Sequence, residues 1–295
     1  MKAFVLGAGS FGTAMAQVLA PNFEQIDLWC RSEKSAQQIS SRCHNAFSDV
    51  ELAANLKPIS LDEKLSTSYE FAIAAIPTQY LAAVLKTYKD VLPTNIPWVS
   101  VAKGLEVGTH RRPTQILHDE LGVENVSALS GPSHAEEMVK HVPTAVVLAN
   151  TDPDKGRSLQ ASLSAEHFRV YYSEDLVGVE MGGALKNIIA IAAGIAVGQG
   201  FGDNTLAALV TRGAVEISRL GMALGADRQT FSGLSGVGDL VVTCFSKHSR
   251  NHRFGLAVGK GEDPQELLSS ASQVVEGAHT VKAAMELGQQ LGVEL

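Results

Sequence analysis

One ammonium group stands alone in an otherwise uncharged stretch. Lys186 lies in Gly182-Gly183-Ala184-Leu185-Lys186-Asn187, at the head of a glycine- and alanine-rich apolar run that carries no further charge until Asp203. Burying an unpaired ammonium is costly and lowers its pKa, so such a lysine is either a paired structural cation or a group that gives and takes a proton. Gly200-Phe201-Gly202-Asp203-Asn204, Gly236-Val237-Gly238-Asp239 and Ser249-Arg250-Asn251 follow it, loops rich in glycine and polar groups beside apolar helices. Chemistry is commonly carried on such loops.

These residue types suit the reduction of a carbonyl by hydride. That step builds negative charge on oxygen, and a cation able to donate a proton should stand beside it. Lys186 is the expected donor. Lys103, in Lys103-Gly104-Leu105-Glu106 beyond a strand-like run, would add a second positive charge that polarises the substrate and lowers the proton affinity of its partner. Asp239 can orient an ammonium and balance the charge, or it can cap a helix over residues 240–245. Asn187 and Thr243 read equally as hydrogen-bonding support for the site and as satisfied core groups. Ser249-Arg250-Asn251 reads as a phosphate grip: the serine caps the next helix, free backbone N–H groups face an anion, and Arg250 binds phosphate oxygens in pairs. The plain alternative there is a capped surface helix with a solvated arginine.

The cofactor for such a step is written at the other end of the chain. Lys2 to Leu6 read as a short buried strand, Gly7-Ala8-Gly9-Ser10-Phe11-Gly12 follows at once, and Thr13 to Leu19 have helical periodicity. Strand, glycine turn and helix in that order form a dinucleotide fingerprint: Gly7 for the tight turn, Gly9 for approach to a pyrophosphate, Gly12 for close helix packing. After a second strand from Gln25 to Cys30, Arg31 occupies the place where an acid normally holds the ribose 2′-hydroxyl. An arginine suits a 2′-phosphate and leans the expectation towards NADP(H) over NAD(H), with Glu33 as the residue that could still reach a ribose.

Strand-like runs recur at Phe71 to Ile76, Trp98 to Ala102, Val126 to Ser130, Ala145 to Ala149 and Phe168 to Tyr172, separated by helical patterns. That alternation predicts a doubly wound α/β sheet. Beyond about Asp175 the pattern is helical, as in Thr205 to Leu220, where Gly221 offers a C-terminal stop. The expected division is therefore a Rossmann-like dinucleotide-binding domain over 1–175 and a helical catalytic domain over 176–295. Loops at the carboxyl ends of parallel strands bind ligands in such folds. Ile76-Pro77-Thr78, Lys103-Gly104-Leu105-Glu106 and Ser130-Gly131-Pro132-Ser133-His134-Ala135 are the candidates. The only weakly patterned stretch is Ser40 to Lys57.

With 295 residues, 45% of them hydrophobic, the chain is long enough for two cores. A net charge of −7 argues against a nucleic-acid partner while leaving room for a local basic pocket. Three unpatterned cysteines, Cys30, Cys43 and Cys244, read as reduced thiols of a cytoplasmic protein. The few apolar residues before Gly7 are too short for a signal peptide, and Ile188 to Gly198 too short to cross a bilayer, so no membrane insertion is expected. The nine histidines show no metal-ligand spacing, with His248 and His252 bracketing the phosphate grip, and no metal is expected. Cys244 lies near His248 without a third orienting group and reads as core.

The motifs GAGSFGTA, KGLE, SGPSHAEE, GVEMGGALKNIIAIAAG, GFGDN, TRG, GLSGVGDLVVTC, SRNHRFG and VVEG together resemble the bacterial NAD(P)-dependent sn-glycerol-3-phosphate dehydrogenases over nearly the whole chain. The resemblance implies reversible reduction of dihydroxyacetone phosphate to sn-glycerol 3-phosphate, the backbone precursor of phospholipids. It implies that Ser10, Phe11, Arg31, Lys103 and Ala135 contact the cofactor, with Arg250, Val274 and Glu276 also reaching it. It further implies that Lys103, Gly131, Ser133, Lys186, Asp239, Ser249, Arg250 and Asn251 border the substrate. A homodimer is the expected assembly.

There are departures from the family pattern. Phe11 stands where tryptophan is usual, Arg31-Ser32 where Arg-Asn is common, and Ile76-Pro77-Thr78 replaces Val-Pro-Ser. Residues 45–56 lack a Tyr-Leu-Pro-Gly element, and the chain stops at Leu295 where members usually continue through another helical segment. Two other readings compete. One is a different two-domain dehydrogenase of the 3-hydroxyacid or 6-phosphogluconate type, which would share a lysine-asparagine pair. The other is a non-catalytic dinucleotide sensor, against which the retention of Lys103, Lys186 and Asp239 argues.

Overall fold

The computed structural model describes every residue except 63, 64, 66, 67 and 272. Among the described residues, β1 (Lys2–Leu6), β2 (Gln25–Trp29), β3 (Leu56–Ile59), β4 (Tyr69–Ala74), β5 (Trp98–Ser100), β6 (Val126–Ser130), β7 (Thr144–Ala149) and β8 (Phe168–Ser173) make one sheet. Their order is β3-β2-β1-β4-β5-β6-β7-β8, and every neighbouring pair is parallel except β6 with β7. The central strands are unbroken apolar runs because both faces are covered: Ala3, Phe4, Val5 and Leu6 are fully buried, as are Phe71, Ala72, Ile73 and Ala74. Helices α1 (Ser10–Leu19), α2 (Glu33–Ser40), α3 (Thr78–Tyr88), α4 (Pro113–Leu121), α5 (Ala135–Met138) and α6 (Pro153–Leu163) cover the two faces. They build two apolar clusters, one around Met15, Leu19 and Phe71, the other around Phe4, Leu81 and Trp98. The strand order reverses between β1 and β4, and the crevice outside their carboxyl ends is where such a sheet binds ligands.

The sequence pattern missed β3. Lys57 and Pro58 break the apolar alternation, and an edge strand tolerates both because only one side of it is paired. The strands read at Trp98 to Ala102 and Phe71 to Ile76 end earlier, at Ser100 and Ala74, so that their last residues form the ligand-facing loops.

β8 ends at Ser173, and Asp175 starts the helical region. Its carboxylate accepts from Gly178 N at 2.8 Å, capping α7 (Leu176–Gly198), and from Asp227 N at 2.9 Å and Thr230 Oγ1 at 2.6 Å. Around α7 lie α8 (Asp203–Ala223), α9 (Asp239–Phe245), α10 (Arg250–Gly259) and α12 (Glu276–Leu291), while α11 (Pro264–Ser270) buries no side chain. α7 and α10 cross almost backbone to backbone. A Cβ on Gly194 would stand 2.1 Å from His252 O, and one on Gly255 would stand 2.0 Å from Ile191 O. Gly221 does not stop α8, which runs on to Ala223; it is buried under the Phe231 ring, and the chain leaves the helix at Gly225 with φ of +91°.

α7 is also longer than the apolar run from Ile188 suggested, so Lys186 sits in its interior. By length and composition it could cross a membrane, yet 61% of its most apolar window is buried inside the protein. Glu180, one turn from its start, accepts from Thr114 N at 2.9 Å and Thr114 Oγ1 at 2.6 Å and pairs with Arg112, which docks α7 onto the start of α4. Leu105, in the loop after β5, is fully buried in the helical region's own core.

Candidate active site

A cleft of about 630 Å³ opens along the carboxyl ends of β1, β4, β5 and β6 and is closed on its other side by α7, α9 and α10. At its base two lysines from the two halves of the chain share one carboxylate. Lys186 Nζ stands 2.8 Å from Asp239 Oδ1 and donates to Thr243 Oγ1 at 2.6 Å. Lys103 Nζ stands 2.6 Å from Asp239 Oδ2 and donates to Gly131 O at 2.9 Å. Thr243 Oγ1 donates its own hydrogen bond to Asp239 O at 2.6 Å, which leaves its lone pairs to accept from Lys186. The close fit depends on glycine: a Cβ on Gly183 would meet Ser130 Oγ at 2.5 Å and Lys103 Cγ at 3.5 Å.

This arrangement corrects the reading of Asp239 as a helix cap. The chain enters α9 through a π-helical turn at Leu234–Gly238, Gly238 occupies the cap position without a side-chain bond, and the Asp239 carboxylate faces the two cations, with Thr243 Oγ1 a further donor 3.2 Å from Oδ1. The electrostatics follow from depth. Burial lowers the Lys186 pKa to about 8; Asp239 pulls it back up and Lys103 pushes it down again. For Asp239, burial raises the pKa, but the charges of Lys103 and Lys186 outweigh it and hold the carboxyl below its usual range. The protein thus keeps one carboxylate ionised in its interior and one ammonium poised near neutrality.

The asparagines form a relay of hydrogen bonds beneath this pair. Asn187 Nδ2 donates to Lys103 O at 3.0 Å, Asn251 Nδ2 donates to Asn187 Oδ1 at 2.9 Å, and Gly277 N donates to Asn251 Oδ1 at 3.0 Å. Asn251 is therefore occupied in tying α10 and α12 to α7, which differs from a side chain wholly open to phosphate. Ser249 caps α10, its hydroxyl accepting from His252 N at 3.2 Å, and Arg250 Nη1 reaches Val274 O at 3.3 Å from the cleft wall. Glu276 Oε1 accepts from Thr78 N at 3.1 Å, so the start of α12 is held against the start of α3.

Gly7, Gly9, Ser10, Phe11, Arg31 and Ala135 line the cleft, as do Lys103, Ser133, Lys186, Asn187, Asp239, Thr243, Ser249, Arg250, Asn251, Val274 and Glu276. Gly12 and Gly131 lie behind the wall. A Cβ on Gly12 would stand 2.0 Å from Gly7 O, and Gly131, at φ +143°, turns its carbonyl to Lys103 and to Ser133 Oγ at 2.9 Å. Gly7, at φ +120°, packs under Ala75 O, a conformation and a space that only glycine fits. Gly9 caps α1 with no side-chain bond, no acid occupies the first turn, and nothing stands within 4 Å of where its Cβ would be. An uncapped helix start facing open space fits a dinucleotide pyrophosphate.

At the far end Arg31 and Ser35 line the cleft while Glu33 does not. Asp27, the nearer acid of β2, is buried and accepts from Tyr69 Oη at 2.5 Å, so it is not free for a ribose. His44 was not read from the sequence, since residues around it carry no periodicity. Its Nδ1 accepts from Ala46 N at 3.1 Å, its ring stacks on Phe47 at 4.9 Å, and it lines the same end of the cleft. His134 and His248 also line the cleft; the sequence placed one in the loop after β6 and the other beside the phosphate grip, with no role of its own for either.

Family comparison gives the same answer along the whole chain. Residues 2–155 match the family model for the NAD-dependent glycerol-3-phosphate dehydrogenase N-terminus, and residues 175–295 match that for the C-terminus. The chain belongs to the NAD-dependent glycerol-3-phosphate dehydrogenase family. A curated relative named glycerol-3-phosphate dehydrogenase (NAD(P)+) from Thermoanaerobacter sp. (strain X514) is 45% identical over 296 residues, covering 100% of this chain and 89% of its own. One of the same name from Geobacillus kaustophilus (strain HTA426) is 46% identical over 298 residues, covering 99% and 86%. The crystal structure of glycerol-3-phosphate dehydrogenase from Coxiella burnetii superposes with a TM-score of 0.91 at 33% identity, covering 100% of this chain and 91% of that one. The eight-stranded sheet followed by a helical region is thus the architecture of this dehydrogenase family.

Proposed function

We propose that this member of the family catalyses the reversible reduction of dihydroxyacetone phosphate to sn-glycerol 3-phosphate with NADPH or NADH, and that the product feeds glycerophospholipid synthesis. The observation that carries the reading is the buried Lys186–Asp239–Lys103 bridge at the base of a cleft that the Gly7 to Gly9 turn also lines. A reduced nicotinamide dinucleotide, held at the Gly7 to Phe11 turn, would supply the hydride when bound. Lys186 gives its proton to the ketone oxygen as charge develops there, and in the oxidative direction it takes the proton back from the alcohol. A donor whose pKa is about 8 serves both directions near neutral pH. Asp239 keeps Lys186 oriented and charged, while Lys103 adds positive potential at the developing alkoxide. Ser249 and Arg250 receive the substrate phosphate at the start of α10, and Asn187 and Asn251 hold the elements in register.

The same proposal gives the glycine turn at Gly7, Gly9 and Gly12, with Ser10 and Phe11, to the pyrophosphate, and Arg31 to a 2′-phosphate. NADP(H) is the favoured cofactor, supported by Arg31 in the cleft wall and by the engagement of Asp27 with Tyr69. We read the enzyme as cytoplasmic and not inserted in a membrane, supported by the burial of Glu180 and Lys186 on α7. A homodimer is part of the reading; Val215 and Met222 on α8 and Val281 and Met285 on α12 are exposed apolar side chains. The division of labour falls near residue 175.

Initial rates at 340 nm with dihydroxyacetone phosphate and each reduced cofactor test the proposal. Turnover with this ketone phosphate, and little with 3-oxoacids or with unphosphorylated dihydroxyacetone, is the expected result. Tight NADPH binding with no turnover on any of them would leave only a dinucleotide sensor.

A further inference from the structure

We propose that His134 is a further substrate-recognition residue, whose Nε2 hydrogen-bonds the phosphate of the bound three-carbon substrate. The proposal rests on the active-site reading above. Three observations support it. The His134 Nε2 atom is buried and has no hydrogen-bond partner among the described residues; of the buried side-chain atoms left so, Thr13 Oγ1, Glu70 Oε2 and Ser130 Oγ do not belong to residues lining the cleft, and His134 does. A buried polar atom left unpaired is costly, and such a cost persists where a ligand later meets it.

The second observation is position. Gly131, with φ of +143°, turns the chain at the end of β6 and sets Ser133 and His134 into the cleft wall. The His134 ring lies 5.7 Å from that of His248, which directly precedes Ser249, the cap of α10. His134 therefore reaches from the sheet side to the end of the cleft where Ser249 and Arg250 stand. The two imidazoles face each other across the junction of the two halves of the chain.

The third is charge. Burial, and then Lys186 and Lys103, push the His134 pKa below its ordinary range, while Glu136 and Glu137 pull the other way. The ring stays neutral, so it presents one N–H without adding a further buried cation to a site that already holds two lysines. A neutral donor recognises a phosphate oxygen by direction and leaves Arg250 to supply the charge.

His134→Phe keeps an aromatic ring against His248 and removes the nitrogen, and His134→Gln restores an amide N–H at nearly the same reach. The expected result is a threefold to tenfold loss in kcat/KM for dihydroxyacetone phosphate with Phe, the worth of one such bond. It should appear mainly in KM and be largely regained with Gln. The KM for NADPH and the slow rate with unphosphorylated dihydroxyacetone should stay within twofold. A melting temperature that falls without a change in the KM for the phosphorylated ketone would mean that the ring only packs, and the proposal would be wrong. So would equal losses for the phosphorylated and unphosphorylated ketones. Lys186→Met, measured alongside, separates the two levels: if it kept full activity, the active-site reading would fall and His134 with it.

Discussion

Lys186, in the interior of α7, holds its Nζ 2.8 Å from Asp239 Oδ1, the carboxylate it shares with Lys103. Removing the ammonium from water lowers its pKa to about 8, and the carboxylate beside it opposes a larger fall. The ordinary lysine value is 10.5, so the proton held here is far easier to release.

A pH dependence of opposite sign in the two directions follows. Reduction needs Lys186 protonated, so its rate should be full below the pKa of about 8 and decline above it. Oxidation needs the neutral amine, so its rate should rise with pH through the same region. Saturating kcat profiles for both directions, taken between pH 6 and 10, check this. Parallel profiles would separate Lys186 from the proton transfer.

Cofactor choice should depend on Arg31. Arg31→Ala should weaken NADPH by roughly tenfold or more while leaving NADH nearly unchanged, since a hydrogen bond to a charged group is worth about 1.5–3 kcal/mol. Fluorescence titration of each reduced cofactor gives the two dissociation constants. An equal loss for both would take Arg31 away from the 2′-phosphate.

Close helix packing should matter to substrate as well as to stability. Gly255→Val drives a side chain into the Ile191 carbonyl, where even a Cβ would stand at 2.0 Å. Forcing α10 away from α7 should cost about 1–3 kcal/mol or more. Because α10 carries Arg250 and Asn251 at its start, the KM for dihydroxyacetone phosphate should rise together with the loss in melting temperature. A variant that melts early but keeps its KM would show that the grip tolerates movement of the helix.

Local pattern made much of the fold readable. Lys2–Leu6, Gly7 to Gly12 and α1 announce themselves because a fully buried parallel strand, a positive-φ glycine and an amphipathic helix each leave a short-range signature. Lys186 was readable for the same reason, as a charge where none belongs. The end of α8 was not, because Gly221 is a packing glycine under Phe231 and resembles a stop only in sequence. Asp239 was half readable: its place before α9 suggested a cap, and only the fold brings Lys103 to within 2.6 Å of it. The relay through Asn187 and Asn251, and the meeting of His134 with His248, join segments far apart in the chain. No spacing rule reports such contacts. His44 lies where periodicity is weakest, and its place against the glycine turn comes from tertiary packing around Phe47.

The central claim is that Lys186 moves the proton and Lys103 supplies supporting charge. Single-turnover hydride transfer, with enzyme saturated in NADPH and dihydroxyacetone phosphate, measures it directly. Lys186→Met keeps the apolar stem and removes the ammonium, so cofactor binding should persist while the rate falls by ~10²–10⁴-fold. Lys103→Met should slow the step less. A near-normal rate for Lys186→Met beside a dead Lys103→Met would reverse the two assignments, and full activity in both would contradict the mechanism.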